Sequence, residues 1–134
     1  MNANGNVMNG SEKRSFRLMI VDDSNIMRRR IERSQNFDEI ELIGTAGNGV
    51  EAIELFRKMD PDVVTMDLTM PQMDGIECIS KLVEMKPAIR ILVISALADK
   101  ATAVEAMEKG ANGFLNKPFT DRQPNEAIAD LIRE

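Results

Sequence analysis

Four places in the chain carry residues able to do chemistry together: Asp22-Asp23, Asp67, Ser95 and Lys117-Pro118. Taken singly, each has an ordinary reading. Asp22-Asp23 and Asp67 would pass as turn acids, Ser95 as a helix cap and Lys117 as a surface charge. Brought together, they would be a different object. Three apposed carboxylates repel and raise one another's pKa. A divalent cation relieves that cost, and hard oxygen donors with water suit Mg²⁺. A lysine opposite them holds a phosphate oxygen as a point charge. The rest of the composition narrows the chemistry further. Histidine is absent and Cys78 is the only cysteine, so triads, Cys-His dyads, ordinary zinc sites and an internal disulfide are excluded. Carboxylates, hydroxyls and a lysine must do the work.

Whether these residues meet depends on the elements that carry them. Short, unbroken apolar runs recur: Leu18-Met19-Ile20-Val21, Val63-Val64-Thr65-Met66 and Ile91-Leu92-Val93-Ile94. Such runs suit strands buried on both faces of a parallel sheet. Ile40–Ala46 alternates, which suits a sheet edge, and Asn112-Gly113-Phe114-Leu115 reads as a short fifth strand. Amphipathic segments fill the gaps. The first follows Ser24, with Met27 and Ile31 inward, and the second follows Asn48, with Ala52, Ile53 and Phe56 inward. Gly75 opens the third, which buries Ile76, Ile79, Leu82 and Val83 and ends at Lys86-Pro87. Ala103, Val104 and Met107 are expected to line the fourth, with Gly110 as its stop. Thr120 is expected to cap the fifth, with Ala127, Ile128, Leu131 and Ile132 inward.

Five strand–helix units predict an α/β fold: a doubly wound, five-stranded parallel sheet of the flavodoxin-like (βα)5 kind, order 2-1-3-4-5. In such sheets ligands bind beyond the carboxyl ends of the strands. Asp22-Asp23 follows strand one, Asp67 strand three, Ser95 strand four and Lys117 strand five, so all converge on one end.

The bulk properties agree with one compact domain. The chain has 134 residues, 43% hydrophobic, and a net charge of −5. That charge argues against a nucleic-acid backbone as partner. The local run Arg28-Arg29-Arg30 reads as a solvated helix face. Residues 1–15, rich in Asn, Gly and Ser, read as a loose tail, and 16–134 as the folded domain. No segment is long enough to insert in a membrane, so a cytoplasmic location is expected.

The set Asp22-Asp23, Asp67, Ser95 and Lys117-Pro118 resembles the receiver domain of two-component response regulators, of the free-standing, CheY-like type. The stretches Met66-Asp67-Leu68-Thr69-Met70-Pro71-Gln72-Met73-Asp74-Gly75 and Asn116-Lys117-Pro118-Phe119 strengthen the resemblance, which covers Phe16 to the C-terminus. It implies that Asp67 accepts a phosphoryl group from a histidine kinase. It implies that Asp23, Asp67 and the backbone carbonyl of Thr69 bind Mg²⁺ directly, and Asp22 through water. Ser95 would hydrogen-bond the phosphoryl group. Lys117 would bond the Asp67 carboxylate and then a phosphoryl oxygen. Phe114 would swing inward as Ser95 moves, switching the face made by the fourth helix, fifth strand and fifth helix. That face would bind a downstream protein in chemotaxis-type signalling, and a separate phosphatase is a further expected partner. The resemblance also implies a cis Lys117–Pro118 bond. Apart from its own phosphorylation and dephosphorylation, no enzyme activity is expected.

Two departures stand out: Pro124 near the start of the fifth helix, and Phe114, which lacks the hydroxyl of the tyrosine found in many chemotaxis receivers. Thr69 and Leu97 occupy the two positions that flank the water's approach in the family. Neither offers an amide or carboxylate, so slow self-dephosphorylation is expected. A phosphorelay shuttle serving a histidine phosphotransfer protein is the alternative reading. A haloacid-dehalogenase-like phosphatase fits less well: it wants an acid two residues after the nucleophile, where Thr69 stands, and a nucleophile after the first strand. A flavodoxin-like cofactor site would be repelled by Asp22-Asp23, and no GxxxxGK[ST] loop is present.

Overall fold

The computed structural model describes residues 15–35, 39–70, 73–96 and 100–133. Strands and helices alternate along it. They are β1 (Phe16–Val21), α1 (Asn25–Ser34), β2 (Ile40–Ala46), α2 (Gly49–Met59), β3 (Val63–Met66), α3 (Gly75–Met85), β4 (Arg90–Ser95), α4 (Lys100–Glu108), β5 (Gly113–Asn116) and α5 (Gln123–Ile132). All strand pairs are parallel, in the order β2-β1-β3-β4-β5. The expected fold and strand order are therefore observed, and the alternating Ile40–Ala46 segment is an edge strand.

The apolar runs owe their continuity to burial on both faces. Successive side chains of a strand point to opposite sides. Met19, Val21, Val64, Met66, Ile91 and Val93 point to the side covered by α2, α3 and α4, where Ala52, Phe56, Ile79 and Leu82 meet them. Leu18, Ile20, Val63, Leu92 and Ile94 point to the other, covered by Ile31 of α1 and Ile128 and Leu131 of α5. Two cores thus clamp the sheet.

Local chemistry fixes most helix starts. Ser24, Asn48 and Asp74 each accept the N–H of the residue three further on: Met27, Glu51 and Glu77. Asp74 is a cap that the sequence reading, which began the third helix at Gly75, did not assign. Gly110 ends α4 at φ 118°, where a side chain would be strained.

Three expectations need correction. The fifth strand is shifted by one residue, to Gly113–Asn116. Asn112 stands just before it: its backbone N–H donates to the Ile91 carbonyl at 2.8 Å, and its side chain accepts from the Ile91 N–H at 2.7 Å. α5 starts at Gln123 rather than directly after Thr120, with Arg122 in the N-cap position and no side-chain cap. A turn intervenes, in which the Gln123 side chain accepts from the Thr120 N–H at 2.8 Å. Pro124, with φ fixed and no N–H to lose, suits the first turn of α5 and is buried there. On α4, Val104 and Met107 do not face the core; they are 47% and 44% exposed, and Ala106 is the buried residue. The small side chain faces the neighbouring elements, so the large ones are turned outward.

Candidate functional site

The register of the strands decides where the acids fall. Val21 pairs with Met66, and Met66 with Val93. Asp22 and Asp67 are the next residues on adjacent strands, so they leave the sheet side by side. β4 runs two residues further than Val93, to Ser95, which pairs with Asn116. Lys117 therefore follows directly, and its N–H donates to the Ser95 carbonyl at 3.0 Å.

Backbone and side-chain bonds hold the loops in place. The Asp22 N–H donates to the Ala46 carbonyl and the Asp67 N–H to the Val21 carbonyl, both at 3.0 Å. Gly75 matters for the Asp67 loop. A Cβ there would lie 2.3 Å from the Asp67 carbonyl oxygen and 2.6 Å from Leu68 Cα, so only glycine lets α3 approach this closely. Lys117–Pro118 is cis, as expected.

Asp22, Asp23 and Asp67 each bring one carboxylate oxygen within 4.8 Å of the others. Asp22 and Asp67 are buried, and Asp23 is exposed. Lys117 Nζ donates to Asp22 Oδ2 at 2.7 Å and stands 3.7 Å from Asp67 Oδ2. The lysine is therefore closer to Asp22 than to Asp67, the partner expected for it. Asp22 Oδ1 accepts from the Ser24 N–H at 2.9 Å. Asp67 Oδ1 receives long bonds, both 3.4 Å, from the N–H and hydroxyl of Thr69. The Asp67 carboxyl is held above its usual pKa of 3.8, first by burial and then by the Asp22 charge; Lys117 and the Thr69 N–H pull the other way. Ser95 is fully buried, and Phe114 is half-buried against the α2–α4 core. Leu97 lies outside the described residues, as do Pro71, Gln72 and residues 1–14 of the expected tail.

Three oxygen donors beside a lysine fit a hard divalent cation. The donor set has no nitrogen or sulfur ligand that would favour a softer metal. Open clefts of 460 and 520 Å³ lie elsewhere, one between α3 and α4 along Ile76, Ser80, Thr102 and Glu105, the other by Arg30, Arg33, Ser34 and Asp121. Neither includes the three acids.

The family model for "Response regulator receiver domain" matches residues 18–129. The chain belongs to that family. This receiver is 39% identical over 115 residues to the chemotaxis protein CheY of Thermotoga maritima, covering 86% of this chain and 93% of that protein. It is 44% identical over 123 residues to a protein-glutamate methylesterase/protein-glutamine glutaminase of Photobacterium profundum, covering 87% of this chain but only 31% of that longer protein. Among solved structures it is similar to the CheX–CheY–BeF3–Mg²⁺ complex from Borrelia burgdorferi. There the TM-score is 0.86 at 30% identity, covering 93% of this chain and 95% of that one. The receiver is thus a signal-transduction domain with chemotaxis homologues. Among its described residues no helix is long and apolar enough to cross a membrane.

The sequence reading missed two contributors. Arg28 donates to the backbone carbonyl of Asp22 and to Asn25 Oδ1. Arg30 lies over the Phe119 ring, 4.7 Å from its centroid. Nothing in a run of three arginines on an amphipathic segment distinguishes these from solvated charges.

Proposed function

We propose that Asp67 takes a phosphoryl group from the phosphohistidine of a histidine kinase and that this operates a switch for a partner protein in chemotaxis-type signalling. The observation that carries the reading is the convergence of Asp22, Asp23 and Asp67 beside Lys117. An Asp67 carboxylate oxygen attacks phosphorus, the P–N bond breaks, and the imidazole leaves with the electron pair. The transition state is loose, with its charge on the equatorial oxygens. Lys117 moves its charge from the carboxylates to one of those oxygens, and the Ser95 hydroxyl donates to another. Mg²⁺, held by Asp23, Asp67 and the Thr69 carbonyl, would neutralise the remaining phosphoryl charge. Both Asp22 oxygens already accept, one from Lys117 and one from the Ser24 N–H, which suits an indirect, water-mediated role.

As Ser95 turns toward the phosphoryl group, it leaves room for the half-buried Phe114, and the α4–β5–α5 face changes shape. Val104 and Met107 already stand exposed on α4 and would form part of that face. Thr69, exposed and without an amide or carboxylate, leaves the attacking water poorly oriented, so the phosphorylated state persists until a phosphatase or a second phosphotransfer step removes it.

Acetyl phosphate with Mg²⁺ should add one phosphoryl group, read by intact mass. Asp67→Asn should remain unlabelled, since an amide is a poor nucleophile. Stoichiometric labelling of Asp67→Asn would overturn the assignment.

A further inference from the structure

The run Arg28-Arg29-Arg30 is not a uniform solvated face. Arg29 is exposed, whereas its neighbours turn toward two different loops of the site. Arg28 holds the β1–α1 loop through the Asp22 carbonyl. Arg30 reaches the β5–α5 loop: its guanidinium donates to the Phe119 carbonyl at 3.0 Å and to Asp121 Oδ1 at 3.3 Å, while its Cζ stands 4.7 Å from the centroid of the Phe119 ring. Phe119 itself is buried among Ile31, Ile94 and Ile128 on the α1–α5 side. It is joined to Lys117 through Pro118 alone, a residue with a restrained φ and no N–H.

We propose that Arg30 is a positioning residue for Lys117: by clamping Phe119 it fixes the loop from which Lys117 reaches Asp22 and Asp67. The inference rests on the phospho-acceptor reading for its consequence, but not for its geometry. The loop between β5 and α5 has neither a ladder nor a helix to hold it at Phe119. The Phe119 carbonyl lies outside both elements, and Arg30 supplies its donor. Arginine suits this role because its planar fork can stack on a ring and donate to two acceptors at once; a lysine cannot do both. The Asp121 pairing adds little by itself, because Asp121 is 93% exposed. The ring contact and the carbonyl bond therefore carry the clamp. Arg28 acts in parallel on the opposite partner, so α1 spans the two loops whose side chains form the 2.7 Å Lys117–Asp22 pair.

The test compares the wild type with Arg30→Ala, Arg30→Lys and a control, Lys86→Ala. Lys86 bonds Asp60 and the Pro61 carbonyl at 3.0 and 2.7 Å, in the loop before β3 at the opposite end of the sheet, and touches no site residue. Two quantities are read well below every melting point: the phosphorylation rate at saturating acetyl phosphate and Mg²⁺, and the NMR signal of the Lys117 ε-methylene. Arg30→Ala should slow phosphorylation roughly fivefold or more, the loss expected for one removed hydrogen bond and a displaced catalytic group. It should also move the Lys117 signal toward that of a free lysine. Arg30→Lys should recover only part of the rate, and Lys86→Ala should change neither quantity. A wild-type rate or an unmoved Lys117 signal in Arg30→Ala would overturn the proposal. So would full rescue by lysine, or equal slowing in Lys86→Ala. If the wild type itself takes no label, the phospho-acceptor reading fails, and the Lys117 signal alone decides whether Arg30 holds the loop.

Discussion

Asp67 is a carboxylate in surroundings that disfavour its charge. Burial and Asp22 raise its pKa, and Lys117 only partly compensates. The folded carboxyl therefore binds its proton more tightly than the unfolded one, and its ionisation at neutral pH weakens the metal-free fold. Asp67→Asn should raise the melting temperature in EDTA at pH 7 by a few degrees, on the order of 1 kcal/mol for a domain of this size. A lower melting temperature would mean that the contact with Lys117 outweighs the burial and repulsion it offsets. Cys78 is a second buried titratable group, with an inert role. Burial, then the charges of Glu77 and Asp74, push its thiol up to about 12 from the ordinary 9.0. Its contribution to stability is complete below pH 9, where the unfolded thiol keeps its proton. It is lost as pH rises from there toward 12, where only the unfolded chain ionises freely. At pH 8, Ellman's reagent should leave the native protein unmodified and label Cys78 rapidly in urea. Rapid native labelling would show that the α2–α3 core opens readily at this point.

Two elements decide how the site is presented. α3 begins at Gly75, against the backbone of Asp67 and Leu68, with its own N–H on the Leu68 carbonyl at 3.0 Å. Gly75→Ala has only backbone to push on, so the helix and the Asp67 loop must separate. A loss on the order of 3 kcal/mol is expected, together with slower phosphorylation. Unchanged thermal stability in that variant would show that the loop can yield without cost. α4 presents the reverse case, since its large apolar residues face outward. Val104→Ser with Met107→Ser should change stability by no more than about 0.5 kcal/mol and leave the phosphorylation rate intact. The same pair should weaken binding of the downstream partner if α4 belongs to the output face. A cooperative loss of folding would instead mean that these side chains pack inward in solution.

At the scale of the whole molecule, the sheet places mutual repulsion at one end and a packed core on each of its two faces. A cation that binds only the folded state adds RT ln(1 + [L]/Kd), about 2.7 kcal/mol at a hundredfold excess over Kd. Millimolar Mg²⁺ should therefore raise the melting temperature of the wild type, and Asp23→Asn should lose most of the rise. An unchanged wild-type melting temperature would count against the metal reading. Asp23 is the informative position because it is the exposed member of the trio; replacing it disturbs no core contact.

The sequence by itself determined the fold class, the strand order and the end of the sheet on which the three acids and Lys117 gather. Strands buried on both faces must be apolar without a break, and Leu18–Val21, Val63–Met66 and Ile91–Ile94 have that signature. The Ser24 and Asn48 caps were legible too, because capping is a local bond between residues three apart. The unit boundaries then placed Asp22, Asp23, Asp67, Ser95 and Lys117 at strand ends. What the sequence could not decide was anything settled by contact between distant elements. The preference of Lys117 for Asp22 over Asp67 depends on how two loops 95 residues apart lie against each other. The outward turn of Val104 and Met107 depends on which side of α4 fits against its neighbours, and Ala106 won that place by being small. Arg30 reads as one of three equal charges on paper. Only the packing of α1 beside the β5–α5 loop brings Phe119 beneath it.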